Sequence, residues 1–335
     1  MTHTMKAFRT RTLRTTMFCA LAALAACASS TVSVQDDADR PAVQPDLTTM
    51  SAIFDSAIPA DIEVKRTSTG HLLVKPTVNG RQPGWFIFDT GAGICCVSTP
   101  HIAELNLRDA GSIGAVGVGG SGGKKLYRAD SVALGPLTLA DHPIMAVDFS
   151  FLKQHLGEEI YGVIGYGVLS HAIVELDIEM PRIAIHAPDT YVLRQADWQS
   201  LELDDRIPAV RCTFEGREGL FRLDSGADGH VTFHQPAVEQ WSLLEGRRVT
   251  NMKMGGVGGF VAAKKGEIEW IEIGGRRYEN IPALFATEAR GAFADSRKQG
   301  NIGAELLRKF ILVFDYPENR IAFIPRDPAA AARKP

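Results

Sequence analysis

The sequence predicts an all-β protein with short helices, in which one folding unit occurs twice. Runs rich in Val, Ile and Phe continue from residue 62 to residue 325, and Gly and Pro interrupt them, as in short strands joined by turns. The chain has 32 glycines and only 8% aromatic residues, which also favours strands and loops. Helical patterns are short and lie around 101–107, 169–172, 236–244 and 304–309. The third observation is an internal repeat.

The repeat consists of matching elements at nearly constant spacing. Residues 162–165 recur as 300–303 at an offset of 138, Asp89 recurs as Asp224 at 135, and the glycine-rich 117–120 recurs near 256–259 at 139. A constant offset over this length indicates a duplicated supersecondary unit. We therefore expect a first lobe at 61–190, a connection at 191–206, a second lobe at 207–327 and a tail at 328–335.

The N-terminus has the pattern of an export signal. Four cations, Lys6, Arg9, Arg11 and Arg14, precede an apolar stretch at 17–26 that is too short to span a bilayer. It ends Leu24-Ala25-Ala26-Cys27, which resembles the lipobox of bacterial lipoproteins, where the cysteine is lipidated and becomes the first mature residue. That resemblance implies a signal peptide at 1–26 and an anchor on Cys27 facing the periplasm. In bacterial lipoproteins, a residue other than aspartate after the lipidated cysteine, here Ala28, favours sorting to the outer membrane. The alternative is an ordinary secretory signal with Cys27 incidental.

Composition limits the partners. Residues 27–60 begin with a polar, proline-containing segment and are predicted to be a flexible tether between the lipid and the folded body. Removing the four N-terminal cations changes the net charge from −3 to about −7, so nucleic-acid binding is not expected. Cys95, Cys96 and Cys212 are predicted to be core thiols, and no CxxC or HExxH spacing suggests a metal. Residues 117–122 formally fit GxGxxG, the pattern of a dinucleotide-binding loop. Such a loop must be followed by a helix, but here the sequence continues with the pattern of a strand, so no cofactor is expected.

The chemistry lies in two acidic motifs, each placed after an apolar strand. They read Asp89-Thr90-Gly91-Ala92 and Asp224-Ser225-Gly226-Ala227. Two lobes facing each other about a pseudo-two-fold axis would bring these tips together. Two adjacent carboxylates cannot both be ionised, so they share a proton and titrate as a pair. The ionised one can then accept a proton from water while the neutral one donates to a carbonyl. We expect Gly91 and Gly226 to allow tight turns, and Thr90 and Ser225 to bond across the axis.

With these motifs the chain resembles the pepsin/retropepsin superfamily of aspartic peptidases over residues 62–325. The resemblance implies two β-barrel lobes, a catalytic pair Asp89 and Asp224, and 163–165 and 301–303 passing beneath the catalytic loops. It also implies that glycine hairpins close over the substrate; the candidates are Gly117, Val118, Gly119 and Gly120, and Gly256, Val257, Gly258 and Gly259. The implied function is an aspartic endopeptidase that cleaves protein or peptide substrates and is active as a monomer.

Some features leave alternatives open. Asn301 replaces an apolar residue of the family pattern. Arg222 lies two residues before Asp224, where it either pairs with that acid or points into a turn, and the like charge of Asp228 would act in the opposite direction. The competing functions are a lipoprotein that binds peptides or partners without cleaving them, and purely structural turn acids.

Overall fold

The computed structural model describes residues 18–19 and 50–326. Through residue 186 the described strands are Phe18–Cys19 (β1), Ser51–Phe54 (β2), Lys65–Arg66 (β3), Leu72–Val74 (β4), Thr77–Val78 (β5), Trp85–Phe88 (β6), Cys96–Ser98 (β7), Arg108–Gly117 (β8), Gly120–Leu134 (β9), Leu137–Val147 (β10), Ile160–Ile164 (β11), Ile173–Asp177 (β12) and Arg182–His186 (β13). From residue 199 onward they are Gln199–Ser200 (β14), Glu202–Asp204 (β15), Ile207–Phe214 (β16), Arg217–Asp224 (β17), Val231–Phe233 (β18), Thr250–Gly256 (β19), Gly259–Ile273 (β20), Arg276–Ala286 (β21), Gly300–Gly303 (β22), Phe310–Asp315 (β23) and Arg320–Pro325 (β24).

Helices are short, as predicted. The α-helices in the described residues are Lys153–Leu156 (α1), Tyr166–Leu169 (α2), Gln235–Gln240 (α3) and Ala304–Leu307 (α4). Single 3₁₀ turns occur at Thr99–His101, Ala103–Leu105, Ser150–Leu152 and Gly291–Ala294. The helix expected at 169–172 lies earlier, at α2, because the backbone of Tyr166 donates to Ala92 and starts the turn there.

The repeat is visible strand by strand. β9 and β10 recur as β20 and β21 with the 139-residue offset at both ends, and α2 recurs as α4 at 138. In the first lobe the strand order is β3-β4-β6-β11-β7-β10-β9-β5, with β2 on β10 and β8 on β9. In the second it is β1-β19-β20-β21-β18-β22-β17-β16-β15, and β20 also pairs with β16, which closes that sheet into a barrel. The predicted two-lobed all-β fold is confirmed.

A third sheet joins the lobes. Its order is β13-β12-β23-β24-β14, and the antiparallel pair β12–β23 brings one strand from each lobe together. Apolar side chains from both lobes form one continuous core, in which Phe214, Phe221, Phe233 and Phe285 pack ring against ring. This shared sheet and core fix the two lobes relative to each other, which the site between them requires.

Other sequence expectations can be placed on this framework. Cys95, Cys96 and Cys212 are free, buried thiols, as predicted. Of the predicted tether at 27–60 the structure describes only residues 50–60, and there Ser51–Phe54 pairs with β10; residues 27–49 lie outside the described residues. Apart from 18–19, the expected signal peptide lies outside the described residues, as do Cys27 and the tail at 328–335. Among the described residues no helix has the length and hydropathy to cross a membrane.

Candidate active site

In each lobe the acidic motif lies on a loop, and the backbone of that loop is held by a strand that lies between two other strands of the same sheet. β11 lies between β6 and β7, parallel to the first and antiparallel to the second, and β22 lies in the same way between β17 and β18. The backbone of Asp89 donates to Ile164 at 2.9 Å, and that of Ala304 donates to Ala227 at 2.7 Å. The segments expected to pass beneath the loops therefore do so, and they fix both loop backbones.

Four hydrogen bonds tie the two loops to each other. Thr90 Oγ1 donates to the carbonyl of Leu223 at 2.7 Å, and Ser225 Oγ donates to the carbonyl of Phe88 at 3.1 Å. The backbone N–H of each residue donates to the other's hydroxyl oxygen, both at 3.0 Å. All four bonds are buried, and the pseudo-two-fold axis relates them in pairs. Thr90 and Ser225 thus make the expected contacts across the axis.

The two carboxyl groups meet at the centre of this arrangement. Asp89 and Asp224 are 1% and 0% exposed, and each carboxyl group lies against the glycine of the opposite loop, Asp89 against Gly226 and Asp224 against Gly91. Burial, followed by the negative charge of Asp224, raises the pKa of Asp89 well above its usual 3.8. Hydrogen bonds from the backbone of Gly91 and Gly226 oppose this shift. The pair therefore retains a proton in a pH range where an isolated aspartate has lost it.

The two glycines are needed for a different reason from the one expected. Neither Gly91 nor Gly226 has a positive φ, so a tight turn does not demand glycine here. A Cβ on Gly91 would lie 2.6 Å from Asp224 Oδ1, and one on Gly226 would lie 2.5 Å from the carboxyl carbon of Asp89. Each glycine makes room for the acid of the opposite lobe.

The surroundings of the pair are not symmetric. Asn301 Nδ2 donates to Asp224 Oδ2 at 3.0 Å, and Asn301 Oδ1 lies 2.9 Å from Nε2 of His234. The corresponding residue of the first lobe is Val163, which has no polar side-chain atom. On the other side, His71 Nε2 lies 2.9 Å from the carbonyl oxygen of Gly226, so a first-lobe side chain also supports the second loop.

Arg222 adopts neither of the arrangements considered from the sequence. Its guanidinium is 2% exposed and binds Asp295 at 2.9 Å and Asp204 at 3.2 Å, with Asp205 at 3.8 Å. These acids also pair with Arg297 and Lys298. Asp228 lies with His230 and Lys265 on the wall of a neighbouring cavity.

The glycine-rich hairpins contact each other between the lobes. The backbone N–H of Gly119, at the β8–β9 tip, donates to the carbonyl of Val257, at the β19–β20 tip, at 3.1 Å. Val118 is fully buried in an apolar cluster of the second lobe that includes Met254, Val261 and Phe293. Val257 is buried in turn among first-lobe residues, including Ile113. Each hairpin tip therefore buries its valine in the opposite lobe.

The family follows from a comparison of the chain with family models. The model for aspartyl proteases matches residues 74–168 and 210–306, which together make up more than half of the chain. The chain belongs to the aspartyl protease family. Each matched region lies in one lobe and contains one aspartate of the pair, so the family's duplicated organisation coincides with the repeat.

Comparison with individual proteins adds little to this assignment. No curated protein matches the chain significantly. Among solved structures, the chain is similar to Basic 7S globulin from soybean at 11% identity, with 79% of this chain and 94% of that chain covered and a TM-score of 0.46.

Proposed function

We propose that this aspartyl protease family member is an endopeptidase that uses Asp89 and Asp224 as its catalytic pair. The observation that carries the proposal is the buried pair of carboxyl groups, each lying against the glycine of the opposite loop, held by loops that are bonded across the pseudo-two-fold axis. Thr90, Gly91, Ser225 and Gly226 support it by fixing both loops and leaving space for the acids.

The pair provides both halves of an acid–base mechanism. The ionised carboxylate takes a proton from water as the water oxygen bonds to the peptide carbonyl carbon. The neutral carboxyl donates its proton to the carbonyl oxygen, so that the intermediate is a neutral geminal diol. The diol then collapses as one hydroxyl returns its proton to a carboxylate and the amide nitrogen takes a proton from the other acid. The C–N bond breaks, and the pair again holds one proton.

The test is hydrolysis of a mixture of unstructured peptides, followed by mass spectrometry in ¹⁸O-labelled water. We expect internal cleavage, one labelled oxygen in each new carboxyl group, inhibition by a peptide with a hydroxyl group at the cleavage position, and no effect of EDTA. Loss of activity with EDTA would contradict the mechanism. Peptide binding without cleavage would favour the non-catalytic alternative on the same fold.

We further propose that the hairpin tips at 117–120 and 256–259 are flaps that close over the substrate. Their mutual contact between the lobes and the complete burial of both acids support this, because a closed cleft excludes water from the pair and has to open to admit a peptide. A Cβ on Gly119 would lie 1.9 Å from the carbonyl oxygen of Gly258, whereas a Cβ on Gly122 would meet no atom within 4 Å.

Gly119→Ala is therefore expected to lower kcat/KM by about tenfold or more, because the tips can no longer meet in this geometry. Gly122→Ala on the same hairpin is the matched control and should retain activity. Both proteins should unfold at the temperature of the parent to within a few degrees, because the change is confined to the tips. Equal activity of the two variants would contradict the flap role.

For localisation, we propose export and a lipid anchor on Cys27, facing the periplasm and carried by the outer membrane. The proposal rests on the sequence, namely the basic region, the apolar stretch at 17–26, the run Leu24-Ala25-Ala26-Cys27 and the following Ala28. Cys27→Ser should release the protein from the membrane fraction or leave an unprocessed precursor. Cys19→Ser, in the same segment, is the control and should fractionate like the parent. Normal processing and membrane attachment of Cys27→Ser would contradict the anchor.

A further inference from the structure

One difference between the two halves of the site bears directly on an acid of the pair, the amide side chain of Asn301. β11 and β22 occupy equivalent places beneath the two loops, and Val163 and Asn301 are equivalent positions on them. The bonds of Thr90 and Ser225 across the axis are related by the repeat, and Asp89 Oδ1 also accepts from the backbone N–H of Gly91 at 2.7 Å. The bond from Asn301 Nδ2 to Asp224 Oδ2 has no counterpart, because the side chain of Val163 has no N–H or O–H group to donate to Asp89.

The amide of Asn301 is oriented by a second buried side chain. Nε2 of His234 lies 2.9 Å from Asn301 Oδ1, and Nδ1 lies 3.2 Å from the backbone oxygen of Asp295. Burial, followed by the charge of Arg222, lowers the pKa of His234 to about 4, so near neutral pH the ring has one N–H. The structure places the amide oxygen of Asn301 at Nε2 and the amide nitrogen at Asp224, and this orientation corresponds to the tautomer with the hydrogen on Nε2, which donates to the amide oxygen. The amide nitrogen then faces Asp224 as a donor.

The charged side chains near the two loops do not favour ionisation of one aspartate over the other in the way that this hydrogen bond does. The titratable side chains around the two loops are Asp89, His71, Cys96, Tyr316, Asp228, Arg222, His234 and Asp295. Burial lowers the pKa of His71 to about 4 and raises those of Cys96 and Tyr316, so these groups are neutral near pH 7. The cation of Arg222 is directed to Asp204 and Asp295 rather than to the pair.

We propose that Asn301, oriented by His234, makes Asp224 the ionised member of the pair, so that Asp224 accepts the proton of the attacking water. Asp89 then carries the proton and donates it to the substrate carbonyl. Asn301 is a positioning residue, because it contacts Asp224 and not the reacting atoms. The assignment rests on the proposed peptidase function for its catalytic meaning, but the location of the charge can be measured without activity.

The first test is the pH dependence of kcat/KM for Asn301→Val. This substitution gives the second lobe the side chain that the first lobe has at the equivalent position, Val163. A hydrogen bond to a charged group favours the ionised form, so its loss should move the acid limb of the profile to higher pH by about one unit or more. Thr232→Val removes a buried polar group from the position opposite Asn301 in the sheet and should leave the limb in place. An active Asn301→Val protein with an unmoved acid limb would overturn the inference.

A second measurement needs neither hydrolysis nor a stable Asn301 variant. The carboxyl carbon of Asp224 is titrated by NMR in Asp89→Asn, and that of Asp89 in Asp224→Asn. We expect Asp224 to titrate at the lower pH, and the reverse order would overturn the assignment. If no peptide were ever cleaved but Asp224 titrated lower, the peptidase proposal would fail while the charge assignment stood.

Discussion

Asp89→Asn and Asp224→Asn are each expected to lower the rate of peptide hydrolysis by at least about a thousandfold. The reason is that the reaction needs a base and an acid at once, and an amide can be neither. Each variant retains a side chain of the same shape, so the contacts across the axis should remain. The measurement is kcat on a peptide identified by mass spectrometry. Asp130→Asn, which changes an exposed acid of the first lobe, is the control and should retain full activity.

The stability of Asp89→Asn gives an independent readout of the same site. Because the folded-state pKa of Asp89 is raised above 3.8, the folded protein binds a proton that the unfolded chain releases as pH rises. Asp89 therefore costs stability above about pH 4, and below that it contributes no such cost. Asp89→Asn should melt at a higher temperature than the parent near pH 7, and the difference should shrink toward about pH 3. Full activity of either variant, or a melting difference that grows toward acid, would contradict the account.

The repeat made the meeting of the two acidic loops predictable. Matching offsets placed Asp89 and Asp224 at equivalent loop positions, and closing two related lobes about an axis brings such positions together. The roles of Thr90 and Ser225 as partners across that axis followed from the same symmetry. The repeat is also kept in the strands, since β9 and β10 recur as β20 and β21 without an insertion.

What the sequence did not predict depends on contacts between the lobes or on departures from the symmetry. The need for Gly91 and Gly226 arises from the acid of the opposite lobe, which no local pattern contains. The exchange of Val118 and Val257 between the hairpin tips is also a contact between lobes. Asn301 was visible as a departure from an apolar pattern, but its partners, Asp224 and His234, are 77 and 67 residues away in sequence. His71 gave no sequence signal at all.

Arg222 shows how a sequence argument at short range can mislead. Alternation along a strand put it on the side of Asp224, yet acids from the connection and from the second lobe surround its guanidinium. The connection at 191–206 therefore does more than link the lobes, since Asp204 and Asp205 bring two of the charges that Arg222 binds. This buried cluster is the basis of a large expected change in stability.

Arg222→Met is expected to lower the free energy of unfolding by about 3–5 kcal/mol near pH 7, because it keeps most of the side-chain volume but leaves partly buried acids without their central cation. Arg211→Met is the matched control on the adjacent strand. Arg211 is 68% exposed and pairs only at the surface with Glu202, so its loss should cost at most about 1 kcal/mol. Urea denaturation of the three proteins measures both differences.

The pH dependence of that difference tests its electrostatic origin. Although burial acts to raise the pKa of Asp295, the hydrogen bonds from Arg297 and the charges of Arg222 and Arg297 outweigh it, and the pKa is lowered. A carboxyl group with a lowered folded-state pKa stabilises the protein above its unfolded pKa and loses that contribution as pH falls through the folded value. The penalty of Arg222→Met should therefore be largest near neutral pH and should shrink below about pH 4, as the acids become protonated. A penalty of the same size at both pH values would point to lost packing, and a penalty no larger than that of Arg211→Met would show that the cluster does not stabilise the fold.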